Sequence, residues 1–284
     1  MKRKLAAVVL MFIGALSYAA DLQIPKQVTA GTAFSIPTSG GGSATFYLVG
    51  PSHSAKRQVQ LGSGIEVGEE EVRSAGHYIA TLCSDTCTSS DFFVVATKPA
   101  NVSLLVHPSR VRVATNEAMS AVAFVFDKFH NPVLQPVPVD FHISVKDAQA
   151  FSKSVTASNG IAWMYLNSTR KEGPAQVVAS IAGVSEKRVV QQVASDACNL
   201  RIRAERKGKF IAVETDPVRD CSGNSLPDGT VVTFTKVDSA GKTTVDAPVK
   251  RGVAKIDMPA AGEATISVAA GVAMGNEVRV GGTP

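Results

Sequence analysis

The chain has 284 residues, 45% of apolar type and only 6% aromatic, with 29 Lys and Arg against 24 Asp and Glu for a formal charge of +5. Lys2, Arg3 and Lys4 supply most of that excess, because no acidic residue precedes Asp21; past them the chain is close to balanced, with 26 basic and 24 acidic side chains. With no later Lys/Arg-rich run this excludes a nucleic-acid footprint, and no later apolar stretch approaches the ~20 residues that span a bilayer.

The basic start, the apolar run Leu5 to Leu16 and the small residues of Ser17-Tyr18-Ala19 predict an export signal over 1–19, cleaved after Ala19 or, second, after Ala20. A secreted or periplasmic location follows, with no transmembrane segment in the mature chain. In that setting four cysteines predict two disulfides. Three pairings are open; Cys83–Cys87 with Cys198–Cys221 is the simplest, because each bridge then stays inside one candidate module.

Over 20–97 the apolar runs are short and β-like: Val28 to Ile36, Ala44 to Val49, Val59 with Leu61, Gly76 to Leu82, and Phe92 to Ala96. Ser39-Gly40-Gly41-Gly42-Ser43 joins two of them as a turn, and Cys83 and Cys87 would staple the last hairpin. Tyr78 does not stand two residues before a cysteine, so the tyrosine-corner sequence pattern of antibody domains is not met. This segment reads as an immunoglobulin-like sandwich of divergent subtype.

The rest of the chain repeats itself. Asp127-Lys-Phe-His-Asn131-Pro, followed by Val139-Asp-Phe141, recurs 93 residues later as Asp220-Cys-Ser-Gly-Asn224-Ser, followed by Val232-Thr-Phe234. Gly160-Ile161-Ala162 recurs as Gly252-Val253-Ala254, and Ala175-Gln-Val177 as Ala264-Thr-Ile266. Asp127, Asn131, Asp220 and Asn224 read as structural turn residues, because short side-chain acceptors tie down nearby N–H groups. The alternation after each turn marks strands buried on one side. Boundaries at 98–194 and 195–284 follow, so the fold expected is all-β: three tandem immunoglobulin-like sandwiches after a signal peptide.

The strand–turn–strand signature, with Thr156 and Asn159-Gly160-Ile161-Ala162 behind it, resembles the group 1 bacterial immunoglobulin-like domains of invasin and intimin adhesins. The resemblance covers 98–194 well and 195–284 moderately. It implies fold; an adhesive role is an expectation by analogy.

Catalytic chemistry finds no footing. There is no Gly-x-Ser-x-Gly, no His-Glu-x-x-His and no phosphate-binding glycine loop. The five histidines have no zinc spacing, and Asp127 and Asp220 lack the further oxygens calcium needs. No catalytic residue, metal or cofactor is expected. Trp163 and Tyr165 draw attention instead. Superposing the repeats sets Ala162, Met164 and Leu166 over apolar Ala254, Ile256 and Met258, and sets Trp163 and Tyr165 over Lys255 and Asp257. That register turns both aromatics outward as a binding surface. Formal charges of −3, +4 and +1 on the three segments add nothing a solvated surface does not explain. The expected function is a non-enzymatic structural or adhesive scaffold of the cell envelope or exterior, with a protein or envelope-polysaccharide partner. Carbohydrate binding through the aromatic pair and a surface-filament subunit are the alternatives.

Overall fold

In the computed structural model of the protein, residues 22–281 are described, and the export signal expected over 1–19 lies outside them. The described chain is almost wholly β, from the strand Gln27–Thr29 to the strand Ala273–Val280, with one 3-10 turn at Glu69–Val72. No described helix is long and apolar enough to cross a membrane. Two compact units result. One holds the described residues up to Pro99 together with Phe126–Val133, and the other holds Ala100–Val125 and the described residues from Leu134 onward.

In the first unit a five-stranded sheet runs in the order Gln27–Thr29, Cys87–Val95, Gly76–Cys83, Ser43–Val49, Ser54–Gln60. The short ribbon Phe34–Ile36 with Ile65–Val67 packs against it through a shared core that includes Ile36, Phe46, Leu48, Tyr78 and Phe92. The single strand expected over Val28 to Ile36 is two strands in different sheets. Gly31, at φ +66°, turns the chain between them, a conformation L side chains rarely adopt. A Cβ there would also lie 2.3 Å from Cζ of Phe129, whose ring packs over this turn.

Tyr78 is fully buried, and its hydroxyl donates to Ser74 O at 3.0 Å. The hydroxyl-to-upstream-backbone bond of a tyrosine corner is therefore present without the cysteine by which sequence recognises one.

The second unit contains two pairs of sheets and a two-stranded ribbon, Ala197–Cys198 with Arg219–Asp220. In 100–194 the strands Ile161–Leu166, Met119–Phe126 and Asn101–His107 form one sheet, and Phe151–Ala157, Val137–Ser144, Gly173–Ile181, Val184–Val193 and Arg110–Arg112 form the other. In 195–281 the corresponding sheets are Ile202–Lys207, Phe210–Thr215, Lys255–Pro259 and then Gly241–Pro248, Val231–Asp238, Ala264–Ala270, Ala273–Val280. Val139 and Phe141 face inward in the first copy, Val232 and Phe234 in the second, and all four are fully buried. Each such side chain contributes roughly 1.5–3 kcal/mol of burial.

Two departures from the repeat stand out. Gln27–Thr29 and Arg110–Arg112 run parallel to the ends of Cys87–Val95 and Val184–Val193 and cover those edges. Ala273–Val280 has no such cover among the described residues, because Ile202–Lys207 turns directly into Phe210–Thr215. Asn276 of that strand instead bonds the main chain of Ile202, its Oδ1 accepting from the N–H at 2.7 Å and its Nδ2 donating to the C=O at 3.2 Å. Second, Lys236 occupies a core-facing position and pairs with Asp238, both nearly fully buried, while also donating to Pro259 O at 2.6 Å.

Candidate functional site

Trp163 and Tyr165 alternate along Ile161–Leu166 with the buried Ala162, Met164 and Leu166. They stand outward, 58% and 54% exposed. Antiparallel pairing sets Trp163 opposite Val122 and Tyr165 opposite Ser120, with Ile161 opposite Phe124. Leu105, on the third strand of the same sheet, is exposed as well. The two rings lie 5.7 Å apart and nearly perpendicular, at 87°. An edge-to-face pair of this kind holds both rings in place without burying them. In 195–281 the matching strand pair carries Lys255 opposite Glu214, joined by a 2.9 Å ion pair. One scaffold face is thus ionic in one copy and aromatic in the other.

The turn residues do what short side-chain acceptors do. Asp127 Oδ1 accepts from the N–H groups of Phe129 (2.8 Å) and Asn131 (2.9 Å), and Asp220 Oδ1 accepts from those of Ser222 and Asn224, both at 2.9 Å. Their other bonds reach further. Asp127 Oδ2 accepts from Thr97 N–H at 3.0 Å, and Asp220 Oδ2 from Ser195 N–H at 3.1 Å. Burial pushes both carboxyls up. Hydrogen bonds outweigh it and hold both below the usual carboxylate range, from Asn131, Thr97 and Phe129 at Asp127 and from Asn224, Ser195 and Ser222 at Asp220.

A pH dependence follows from these depressed values. In the unfolded chain both groups regain the ordinary value near 4, so their contribution is fully present above that pH and is lost as pH falls through the folded values. Thermal unfolding should therefore be flat from neutral pH down to about pH 5 and decline steeply below about pH 4. A midpoint unchanged between pH 7 and pH 3 would contradict this.

Cys83 is bonded to Cys87 and Cys198 to Cys221, leaving no free cysteine. The first bridge closes the end of the hairpin Gly76–Cys83/Cys87–Val95, where the two cysteines are register partners. The second joins Ala197–Cys198 to the segment just after Arg219–Asp220. Among the described residues no three His, Cys, Asp or Glu side chains gather as a metal site.

With two sheets packed face to face and strands alternating inward and outward, this is the immunoglobulin-like β-sandwich fold. Among solved structures, the Escherichia coli adhesin FdeC matches with a TM-score of 0.63 at 16% identity, over 94% of this chain and 99% of that one. InvD of Yersinia pseudotuberculosis matches at 0.51 and 10% identity, over 90% and 94% of the two chains. Invasin, a bacterial integrin-binding protein, gives 0.49 at 12% identity, and 94% of this chain spans 60% of its length. No family model and no curated protein sequence matches. At these identities the likeness is one of fold.

Proposed function

We propose that the protein is an exported, non-enzymatic scaffold of three immunoglobulin-like modules, 20–97, 98–194 and 195–284, with an adhesive face on the middle one. Two disulfides and no free thiol fit an oxidising compartment outside the cytoplasm. The carboxylates held at unusual pKa values are committed to turns and ion pairs, which gives them structural work in place of catalysis.

The observation that carries the adhesive reading is the exposure of Trp163 and Tyr165 where the sister repeat carries an ion-paired Lys255 and an Asp257. Rigid aromatics of this kind anchor interfaces at low entropic cost. A protein partner fits better than an extended polysaccharide. Glycan chains stack on flat platforms, and two rings at 87° do not form one, whereas a protein surface can supply a pocket for the pair.

Binding of labelled full-length protein to intact cells, before and after protease treatment of those cells, tests this. Saturable, protease-sensitive binding is expected, weakened at least tenfold by Trp163→Ala and by Tyr165→Ala, since a central aromatic anchor contributes about 2 kcal/mol or more. Unchanged binding in both variants would remove the face from the account.

A further inference from the structure

The Asp-x-x-x-Asn motif recurs with the same contacts beyond its own turn. Asn224 lays its amide against the loop that leads into Gly173–Ile181, where Nδ2 donates to Arg170 O at 2.8 Å and Oδ1 accepts from Glu172 N–H at 3.1 Å. Within the first unit, Asn131 treats the loop leading into Gly76–Cys83 identically, with Nδ2 donating to Arg73 O at 2.7 Å and Oδ1 accepting from Ala75 N–H at 2.8 Å. In both cases the acceptor lies three residues, and the donor one residue, before the glycine that opens the strand. A carboxamide offers one acceptor and one donor group side by side, so it pairs with a backbone C=O and N–H as a peptide does. These bonds touch only main-chain atoms of the loop.

In 195–281 the corresponding loop precedes Ala264–Ala270 and is closed by its own segment. Ser239 Oγ donates to Ala261 O at 2.8 Å, Arg206 donates to Gly262 O, and Asp238 accepts from Ala261 N–H at 3.3 Å. A loop left open to the next Asn and a loop filled from within are alternative ways of satisfying the same backbone groups.

We propose that Asp-x-x-x-Asn is a latch between consecutive repeats. The Asn reads the backbone of the loop before the penultimate strand of the preceding repeat, and the Asp holds the connecting residue. In the second unit, Asn224 and Asp220 thereby make 98–194 and 195–281 unfold as one cooperative body. Because the latch reads main chain, the side chains of Arg170, Lys171 and Glu172 contribute nothing to it. The proposal is independent of the aromatic face.

Hydrogen exchange and calorimetry on the full chain test it. In Asn224→Ala the amide of Glu172 should exchange at least tenfold faster, and the unfolding endotherm of the second unit should split in two. Arg170→Ala and Lys171→Ala should change neither. Unchanged Glu172 protection with an unsplit endotherm in Asn224→Ala overturns the latch. If Asn224→Ala also exposes the amides of Val231–Asp238, the near-isosteric Asn224→Asp decides. It keeps an acceptor for Glu172 but lacks the Nδ2 donor both to Arg170 O and to Asp220. A split endotherm with the Ser222 amide still protected by Asp220 therefore upholds the latch, and any other outcome overturns it.

Discussion

Tyr78→Ala is expected to destabilise the first unit by about 3–5 kcal/mol, while Tyr78→Phe removes only about 1–1.5 kcal/mol. The ring is fully buried and stacks on Phe92 at a centroid distance of 5.3 Å and 26° between planes. It also fills the space above Gly50, where a Cβ would lie 2.1 Å from the ring. Truncation to alanine therefore opens a cavity between two packed layers, with no side chain at Gly50 to fill it. The phenylalanine variant keeps that packing and leaves Ser74 O without its donor. The carbonyl belongs to a three-residue loop whose neighbours, Arg73 O and Ala75 N–H, are held by Asn131. Urea unfolding of the two variants separates the packing and hydrogen-bond contributions. Equal losses would show that the hydroxyl, and not the ring, governs this corner.

The second large effect concerns the bridges. Replacing both Cys198 and Cys221 with Ser should cost about 3–3.5 kcal/mol, against about 2 kcal/mol for Cys83 with Cys87, because loop-closure entropy grows with the length enclosed. The separations are 23 and 4 residues. The longer bridge has a further structural consequence. It pins Ala197 and Cys198 beside Arg219 and Asp220, and Asp220 holds Ser195 N–H. Loss of the bridge should therefore loosen the same contacts that Asn224 makes, and the two changes should be non-additive. Denaturation of the double-serine chains measures both predictions; a larger loss from the short bridge would contradict the entropic account.

Much of the sandwich was legible because period-2 alternation is a local signal. Val139 and Phe141, and Val232 and Phe234, announce their inward face by alternation, and the repeat offset sets Trp163 and Tyr165 over Lys255 and Asp257. What sequence could not supply was long-range. The strand read over Val28 to Ile36 breaks at Gly31, where a left-handed φ disfavours any side chain and the ring of Phe129, nearly a hundred residues on, fills the space one would need. Lys236 looks like a surface lysine until its partners Asp238 and Pro259 O are in place. Nothing in the sequence of Thr97–Ala100 or Ala194–Ala197 marks a fixed contact, yet the N–H groups of Thr97 and Ser195 are taken by Asp127 and Asp220. The Asp-x-x-x-Asn motif was read as a turn alone, because the loops it reaches lie more than fifty residues upstream and are contacted through backbone atoms that carry no sequence signal.

The sequence contains a single tryptophan, so Trp163 fluorescence reports on the proposed adhesive face without labelling. In the free full-length protein the emission should be that of a water-exposed indole and be quenched readily by iodide. It should shift to the blue and become protected when the protein engages its partner surface. An emission already blue-shifted and protected in the free protein would mean the ring is covered, and the face would no longer be available to bind anything.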